Sequence, residues 1–410
     1  MTRGKVNRHR PGDGNATQSK AAHACSKSKP NKERKKEDEV MVLPWRSRGG
    51  KRPNQLTISV VAETKTSAQL RPSRIERIQS PRLSLTPRGA AEICRRLENA
   101  TAREENAECF KILSKIKNLV RESGEANKKC LLQNGVVSAL TSCFQRFSSA
   151  REEQTRLLEE VLSVLTYWLP LSRTEGFTKM GSTASLHRLV RFLNATDAKT
   201  RQNAALCIRE VLAVDKRYVY ALTDIEGACE GLMKIIRDSV STSSTKASLM
   251  AVYRAVSCDN KIAAKFVKLG LVALIAEMVM NNAEKSVCER CLVVLNAICD
   301  NEQGREDVLR NALIVPLLVK KILRVSDLAT QCSVSVLWKL WRKNGEDVLL
   351  EALQVGAFEK LLVVLQVGCE EKTKERASEL LRNLNRCRNE IEKTTCLDSS
   401  MRLKNVKKSF

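Results

Sequence analysis

The feature of this sequence that most restricts its fold is an internal repeat of 42 to 46 residues. A turn residue precedes an apolar stretch at Gly135, Gly181, Gly227, Gly270, Ala312 and Gly356. A second apolar stretch follows each of the first ones, and an aliphatic residue near its end recurs with nearly the same spacing. We call these residues the aliphatic series: Leu165, Val211, Val256, Ile298, Leu340 and Leu384. The residues seven positions before the aliphatic series form an upstream series: Leu158, Ala204, Leu249, Cys291, Ser333 and Ala377. Series that share one period predict a chain of stacked structural repeats.

One repeat can be followed residue by residue. Gly270 is predicted to end a helix, and "LVALIAEMVM" after it has the length of a middle helix. "AEKSVCERCLVVLNAIC" is predicted to form a long third helix, with Asp300 or Asn301 capping the short helix that follows. Periods of about 40 to 47 residues are typical of armadillo and HEAT repeats. One short helix followed by two longer ones favours the armadillo pattern.

The predicted fold class is therefore all-α: a right-handed superhelical armadillo-repeat solenoid behind a disordered basic tail. Residues 1–73 are assigned to the tail and residues 74–86 to a linker. Residues 87–134 are predicted to form N-terminal helices, with Thr86 as a cap, and residues 135–395 about six repeats. Residues 396–410 are predicted to be a basic C-terminal tail.

Cys288 and Cys291 have the C-x-x-C spacing found in zinc and redox sites, within "VCERCLVVLNAICDN" at residues 287–301. They also fall on one apolar helical stripe with Leu292, Leu295 and Ile298. A structural zinc needs four ligands, and no second C-x-x-C or H-x-x-x-H accompanies this pair. We interpret both as packed thiols, with Cys291 in the small-residue position that Ala204 fills elsewhere.

Cysteine usage and charge predict the compartment. The chain has 15 cysteines, spread singly along apolar segments, which is unlike a short disulfide-rich secreted domain. The N-terminus has no apolar signal segment, and no apolar run approaches the roughly 20 residues of a membrane span. The net charge is +25, and residues 1–80 carry about half of it. We expect a cytoplasmic or nuclear protein, in which the basic cluster at residues 32–36 is either an import signal or a solubilising tail.

Catalytic chemistry is sparse in this sequence. Only three histidines occur, and His187 in "TASLHRLVRFL" is interpreted as a half-exposed helical residue. The phosphate-binding pattern G-x-x-x-x-G-K-[ST] and the nucleophile pattern G-x-S-x-G are both absent from the printed sequence. The sequence therefore predicts a binding scaffold with no catalytic residue, metal ligand or cofactor of its own.

A stack of such repeats forms a concave groove lined by its third helices. The residues predicted to face that groove are Arg209, Arg254, Asn296, Trp338 and Trp341. Trp338 lies two residues before Leu340, as Asn296 lies two before Ile298, and this register favours a peptide-binding anchor. The alternative for Trp341 is that it covers the core between repeats.

Several segments resemble a known family. "SRIERIQSPRLSLTPRGAAEIC" followed by "KIKNLVRESGEANKKCLLQNGVVSALTSCF" is similar to the plant U-box armadillo-repeat E3 ubiquitin ligases. The resemblance covers roughly residues 74–395 and includes the linker that joins the U-box to the repeats. It implies a protein of the ubiquitin pathway whose repeats recruit a protein substrate or a receptor kinase, and whose U-box recruits an E2 enzyme.

The U-box of that family has no counterpart in this sequence. Residues 41–58 resemble the family's start and lead-in, but only residues 60–73 separate them from the linker. The family's Cys-Pro-Ile-Ser run does not occur. We therefore expect a form that binds the family's partners but transfers no ubiquitin, with an E2 enzyme as partner only for a form that contains a U-box.

Two other classes of function compete with this interpretation. The first is a nuclear-transport or scaffold adaptor resembling importin-α, which would bind basic or phosphorylated peptides in the groove. That family has tryptophans on consecutive third helices, whereas only one repeat has them here. The second is a nucleic-acid binder, but residues 81–410 carry only half of the excess charge and few aromatic residues. No specific nucleic-acid partner is predicted.

Overall fold

The computed structural model describes residues 85–149, 154–281 and 284–406, with side chains as far as residue 390, and these ranges form helices and turns without strands. In chain order the helices are α1 Pro87–Ala102, α2 Asn106–Gln133, α3 Val136–Ser148, α4 Thr155–Leu165, α5 Thr183–Leu193, α6 Ala198–Val214, α7 Lys216–Thr223, α8 Ala228–Asp238, α9 Thr242–Cys258, α10 Asn260–Lys268, α11 Leu271–Met280, α12 Lys285–Ile298, α13 Glu302–Arg310, α14 Ile314–Lys321, α15 Asp327–Asn344, α16 Glu346–Gln354, α17 Ala357–Val367 and α18 Glu371–Val406.

The predicted tail at residues 1–73 and most of the linker lie outside the described residues. The described chain begins at Leu85, and Thr86 caps α1 by accepting a 3.2 Å hydrogen bond from the backbone N–H of Gly89. At the other end α18 continues to Val406. The segment predicted as a C-terminal tail is therefore helical over most of its length, because no turn residue interrupts it.

A short first helix, a second helix and a third helix recur along the chain, as in α10, α11 and α12. Gly270 separates α10 from α11 with φ +81°, a left-handed conformation that is accessible to glycine at no steric cost. The predicted cap of α13 is confirmed, since the Asn301 side chain accepts a 3.0 Å hydrogen bond from the N–H of Gly304. This order of helices is the armadillo pattern.

The repeat that contains α5 and α6 departs from this pattern. A loop with two 3-10 turns, Thr166–Trp168 and Phe177–Gly181, stands where the other repeats have a first helix. Gly181 ends the second turn without the left-handed conformation of the other repeat glycines. A Cβ atom at Gly181 would lie 2.2 Å from the ring of Tyr218, so close packing explains the glycine here. The repeat pattern in the sequence does not reveal this irregular loop.

The third helices α4, α6, α9, α12, α15 and α18 pack side by side in chain order, with α2 against α4 at the start of the row. Every member of the aliphatic and upstream series is buried in this contact, with at most 5% of any of them exposed. Four members of the upstream series are alanine, serine or cysteine, and Leu158 and Leu249 occupy the other two positions. The all-α armadillo-repeat solenoid predicted from the period is therefore the fold.

The C-x-x-C pair lies inside this core. Cys291 is fully buried and Cys288 is 2% exposed, both on α12. Burial raises the pKa of the Cys291 thiol far above its ordinary value, which keeps it protonated. No group of metal-ligating side chains occurs among the residues that the structure describes. No helix in the same ranges is long and apolar enough to cross a membrane.

Substitutions of Cys291 test whether it is a packing residue. We expect Cys291→Ala to keep the fold and lower the free energy of unfolding by about 1 kcal/mol, because it removes one buried sulfur atom. Cys291→Asp should unfold the repeat, since it buries a carboxylate with no partner. The half-exposed Cys369 provides the control, in which the aspartate substitution should be tolerated. Stoichiometric zinc in the purified protein, lost in Cys288→Ser, would contradict this interpretation.

Candidate functional site

Four of the five predicted groove residues occupy one equivalent position on successive third helices. Arg209, Arg254, Asn296 and Trp338 lie on α6, α9, α12 and α15, each two residues before the aliphatic series, and each is half-buried. Trp341 is also half-buried on α15 but takes no part in the hydrogen bonds described below. We use the name third-helix face for the band formed by Arg209, Glu210, Arg254, Asn296, Ser335, Trp338, Lys339, Arg342, Arg376 and Glu379.

A buried carboxylate organises the end of this face nearest the irregular loop. Glu210 is 4% exposed and accepts hydrogen bonds from the backbone N–H groups of Leu171 at 2.8 Å and Ser172 at 3.1 Å. Its other oxygen accepts from Nε of Arg209 at 2.8 Å and lies 2.7 Å from Nη2. Glu210 therefore ties the loop and the Arg209 guanidinium to one position, which compensates the cost of burying its charge.

Arg254 extends this cluster to α9. Its Nη1 donates a 3.0 Å hydrogen bond to the backbone carbonyl of Arg209. Burial lowers the pKa of the Arg254 guanidinium, and the Glu210 carboxylate opposes that shift. An arginine remains protonated in proteins, so Arg254 presents a partly desolvated positive charge that an acceptor from outside would stabilise.

Asn296 connects α12 to α15 in the middle of the face. Its Oδ1 accepts hydrogen bonds from Oγ of Ser335 at 2.7 Å and from Nζ of Lys339 at 2.9 Å. Lys339 also donates to the Asn296 carbonyl at 2.7 Å and forms a 2.6 Å ion pair with Asp300. Arg376 on α18 donates to Oγ of Ser335 at 2.7 Å. Three successive third helices are thus joined through side chains.

Trp338 lies among charged groups at the far end of the face. Its indole Nε1–H donates a 2.6 Å hydrogen bond to Oε2 of Glu379. The guanidinium carbons of Arg342 and Arg376 each lie 5.0 Å from a Trp338 ring centroid, within cation–π range. Burial lowers the pKa of the Arg376 guanidinium. Trp338 is therefore held in place by its own chain, and its half-exposed ring would meet a partner together with two cations.

Sequence reasoning missed the residues that complete the face: Glu210, Ser335, Lys339, Arg342, Arg376 and Glu379. A signal was present for some of them, because Lys339 and Glu210 lie one residue before the aliphatic series and Ser335 and Glu379 five residues before it. Ser335 and Glu379 thus lie three residues before the predicted position, on the same side of the helix, and Glu210 and Lys339 lie one residue after it. His187 is exposed on α5 and belongs to a second helix, outside this face.

Comparison with known proteins agrees with this architecture. The family model described as plant U-box protein ARM repeat region matches residues 90–407. A U-box domain-containing protein 21 of Arabidopsis thaliana is 45% identical over 336 residues, covering 82% of this chain and 76% of that protein. The Arabidopsis E3 ubiquitin-protein ligase PUB23 is 29% identical over 315 residues, covering 75% of this chain and 74% of that protein.

Among solved structures, the designed armadillo repeat protein YIII(Dq)4CqI aligns with a TM-score of 0.45 and 18% identity, covering 66% of this chain and 99% of that one. The family assignment rests on the sequence relatives, since the family model spans well over half of the chain. This chain belongs to the plant U-box protein family, and residues 90–407 are its armadillo-repeat region.

Proposed function

We propose that this protein binds protein partners of the ubiquitin pathway through its third-helix face and does not itself transfer ubiquitin. The observation that carries the proposal is that hydrogen bonds between helices hold the side chains of that face in place. Hydrogen bonds join α6 to α9 through Arg254, α12 to α15 through Asn296, and α15 to α18 through Ser335. A surface held in place before binding loses little conformational entropy when a partner docks.

The charges on the face favour an acidic or phosphorylated partner segment over a basic one. Five cations, Arg209, Arg254, Lys339, Arg342 and Arg376, outnumber the three carboxylates near them, which belong to Glu210, Glu379 and the Asp300 that pairs with Lys339. An arginine has five N–H donors, and no arginine of the face makes more than two of the hydrogen bonds and short ion pairs described here, so a carboxylate or phosphate can add to the existing contacts. This balance disfavours the basic peptides of the alternative transport or scaffold adaptor but is compatible with its phosphorylated ones.

Membership of the U-box family supports the ubiquitin pathway as the setting. One relative is itself an E3 ubiquitin-protein ligase. A U-box recruits the ubiquitin-loaded E2 through a folded surface and has no nucleophile of its own. Residues 60–73 are 14 in number and contain no cysteine, whereas domains below about 40 residues need disulfides or metals to fold. Under this proposal the chain supplies the arm that holds a substrate or receptor kinase.

The first test concerns binding. The full chain, used as bait in a plant extract, should capture a defined set of proteins whose bound segments are acidic or phosphorylated. Arg342→Glu, in a half-exposed ion pair, and Arg254→Met should each weaken capture about tenfold, because each removes one cation from the face. Arg237→Glu reverses an exposed charge on α8 and serves as the matched control. Equal capture by all variants would exclude the face, and basic bound segments would favour the adaptor.

The second test concerns transfer. Purified full-length chain, incubated with E1, E2, ubiquitin and ATP, should form no polyubiquitin above the level seen without it. A U-box protein from the same family provides the positive control in a parallel reaction. Polyubiquitin that depends on this chain would contradict the second half of the proposal and leave the binding face untouched. If transfer is absent, an excess of this chain should compete with the positive control for their shared substrate.

A further inference from the structure

The last second helix, α17, leaves exposed an apolar stripe that its counterparts in earlier repeats bury. The helices α8, α11, α14 and α17 begin at Ala228, Leu271, Ile314 and Ala357, which are 43 residues apart, so residues at this spacing are equivalent. The stripe consists of Phe358, Leu362 and Leu365, of which Leu362 is 41% exposed and the other two are half-buried. Their counterparts are at most 5% exposed: Cys229, Val272 and Val315; Met233, Ala276 and Val319; Ile236, Val279 and Ile322.

The element that covers the equivalent stripe in earlier units is the following repeat. The helix α11 contacts α13 and α14 of the next unit, and α14 contacts α16. After α17 the chain enters α18, which continues as one helix to Val406, so the described chain contains no further repeat that could cover the stripe. Phe358, Leu362 and Leu365 have the spacing i, i+4 and i+7 and therefore lie on one side of α17. This is the side that faces the next unit in the other repeats.

Two outward positions of α17 are apolar as well. Val363 is 40% exposed and Val367 is 72% exposed. The equivalent residues of the earlier second helices are exposed and mostly charged: Lys234, Glu277 and Lys320 at the first position, and Asp238, Asn281 and Arg324 at the second. Terminal repeats of a solenoid normally present a polar outer face to water, whereas a contiguous exposed apolar surface is typical of a binding site. The sequence of α17 therefore lacks the character of a cap.

The side of α18 that would meet a following repeat is polar and basic. One residue after the upstream series, the helices α6, α9, α12 and α15 bury an apolar residue: Ala205, Met250, Leu292 and Val334. α18 has the half-buried Ser378 at this position, and Lys374 and Arg382, one turn before and after it, are exposed. Arg388, another cation of α18, has its guanidinium carbon 4.8 Å from the ring centroid of Phe358. The end of the solenoid thus has an apolar half on α17 and a basic half on α18.

We propose that this end of the solenoid binds an amphipathic helix of a partner protein. The surface, which we call the end face, is formed by Phe358, Leu362, Val363, Leu365, Lys374 and Arg382. Aliphatic side chains of the partner helix cover the stripe on α17, and its carboxylates face the two cations of α18. A helix suits this surface because helices of the next repeat pack against α11 and α14 in the earlier units. The end face shares no residue with the third-helix face, so the two proposals can fail separately.

Charge favours an acidic partner helix over the other candidate occupants. A second copy of this chain would add its own excess of positive charge, since the net charge is +25. Residues 1–80 carry about half of that excess and would place further cations against Lys374 and Arg382. Like charges across an interface raise the free energy of the complex, and opposite charges lower it. A helix with aspartate or glutamate beside its aliphatic residues therefore fits the end face best.

The test begins with a display library in which one helix of a three-helix bundle is randomised at its exposed positions, selected on the full chain. Enriched helices should carry leucine, isoleucine or methionine at i, i+4 and i+7 beside aspartate or glutamate. In fluorescence polarisation the best of them should bind Leu362→Asp about 30-fold more weakly, because a carboxylate would be buried among its aliphatic side chains. Arg382→Glu should weaken binding about tenfold. Leu132→Asp, also 41% exposed but on α2, and Arg237→Glu on α8 should bind as the unmodified chain does.

Thermal unfolding separates a docking stripe from a part of the core. Leu362→Asp should lower Tm by less than about 3 °C, because its side chain is exposed in the free chain. Val319→Asp, at the equivalent and buried position of α14, should lower Tm by roughly 10 °C or more. An equal loss of Tm in both variants would show that Leu362 belongs to the core and would overturn the proposal.

Three results of the binding experiment would overturn it as well. These are the absence of any enriched helix, enriched helices with basic flanks, and equal affinity for the unmodified chain and either Leu362→Asp or Arg382→Glu. Sedimentation velocity covers the remaining occupant. The chain should be monomeric at micromolar concentration, and a dimer that Leu362→Asp dissociates would assign the end face to a second copy and contradict the acidic partner helix.

Discussion

Tight packing on the core side of the third helices is the constraint on which the rest of this structure depends. The upstream series on α6, α9, α12, α15 and α18 consists of Ala204, Leu249, Cys291, Ser333 and Ala377, all fully buried, and these helices pack side by side. Protein interiors are close-packed, so a small side chain at four of these positions reflects the little volume available there. The larger aliphatic residues seven positions later are buried in the same core. Cysteine fits this requirement as a small, weakly polar side chain, which accounts for the C-x-x-C spacing of Cys288 and Cys291 in the core.

The side-by-side packing of the third helices also brings polar side chains of adjacent helices within direct hydrogen-bond distance. Asn296 reaches Ser335 at 2.7 Å, and Arg254 reaches the Arg209 carbonyl at 3.0 Å. These bonds orient cations that the fold has partly desolvated, so the face is arranged before any partner arrives.

The repeats could be predicted from the sequence because each repeat buries apolar residues at equivalent positions, and this gives the sequence a period. The aliphatic and upstream series identified the core, and counting two residues back from the aliphatic series placed Arg209, Arg254, Asn296 and Trp338 on one face. Pairings across repeats could not be read in this way, because Lys339 and Asn296, or Arg376 and Ser335, lie about 40 residues apart. The irregular loop before α5 was not predicted for a similar reason. Its backbone donates a hydrogen bond to Glu210 on α6, which lies far from the loop in sequence.

The most direct test of this account is the free energy of unfolding of two variants at Ser333, measured by chemical denaturation. Ser333 is fully buried on α15, and its hydroxyl has no hydrogen-bond partner among the described residues. Ser333→Ala keeps the small volume and removes an unsatisfied polar group, so its stability should equal or exceed that of the unmodified chain. Ser333→Leu should lower the free energy of unfolding by about 1–3 kcal/mol, because a close-packed core has no room for the larger side chain. Equal stability of the leucine and alanine variants would contradict the claim that tight packing on the core side of the third helices determines this fold.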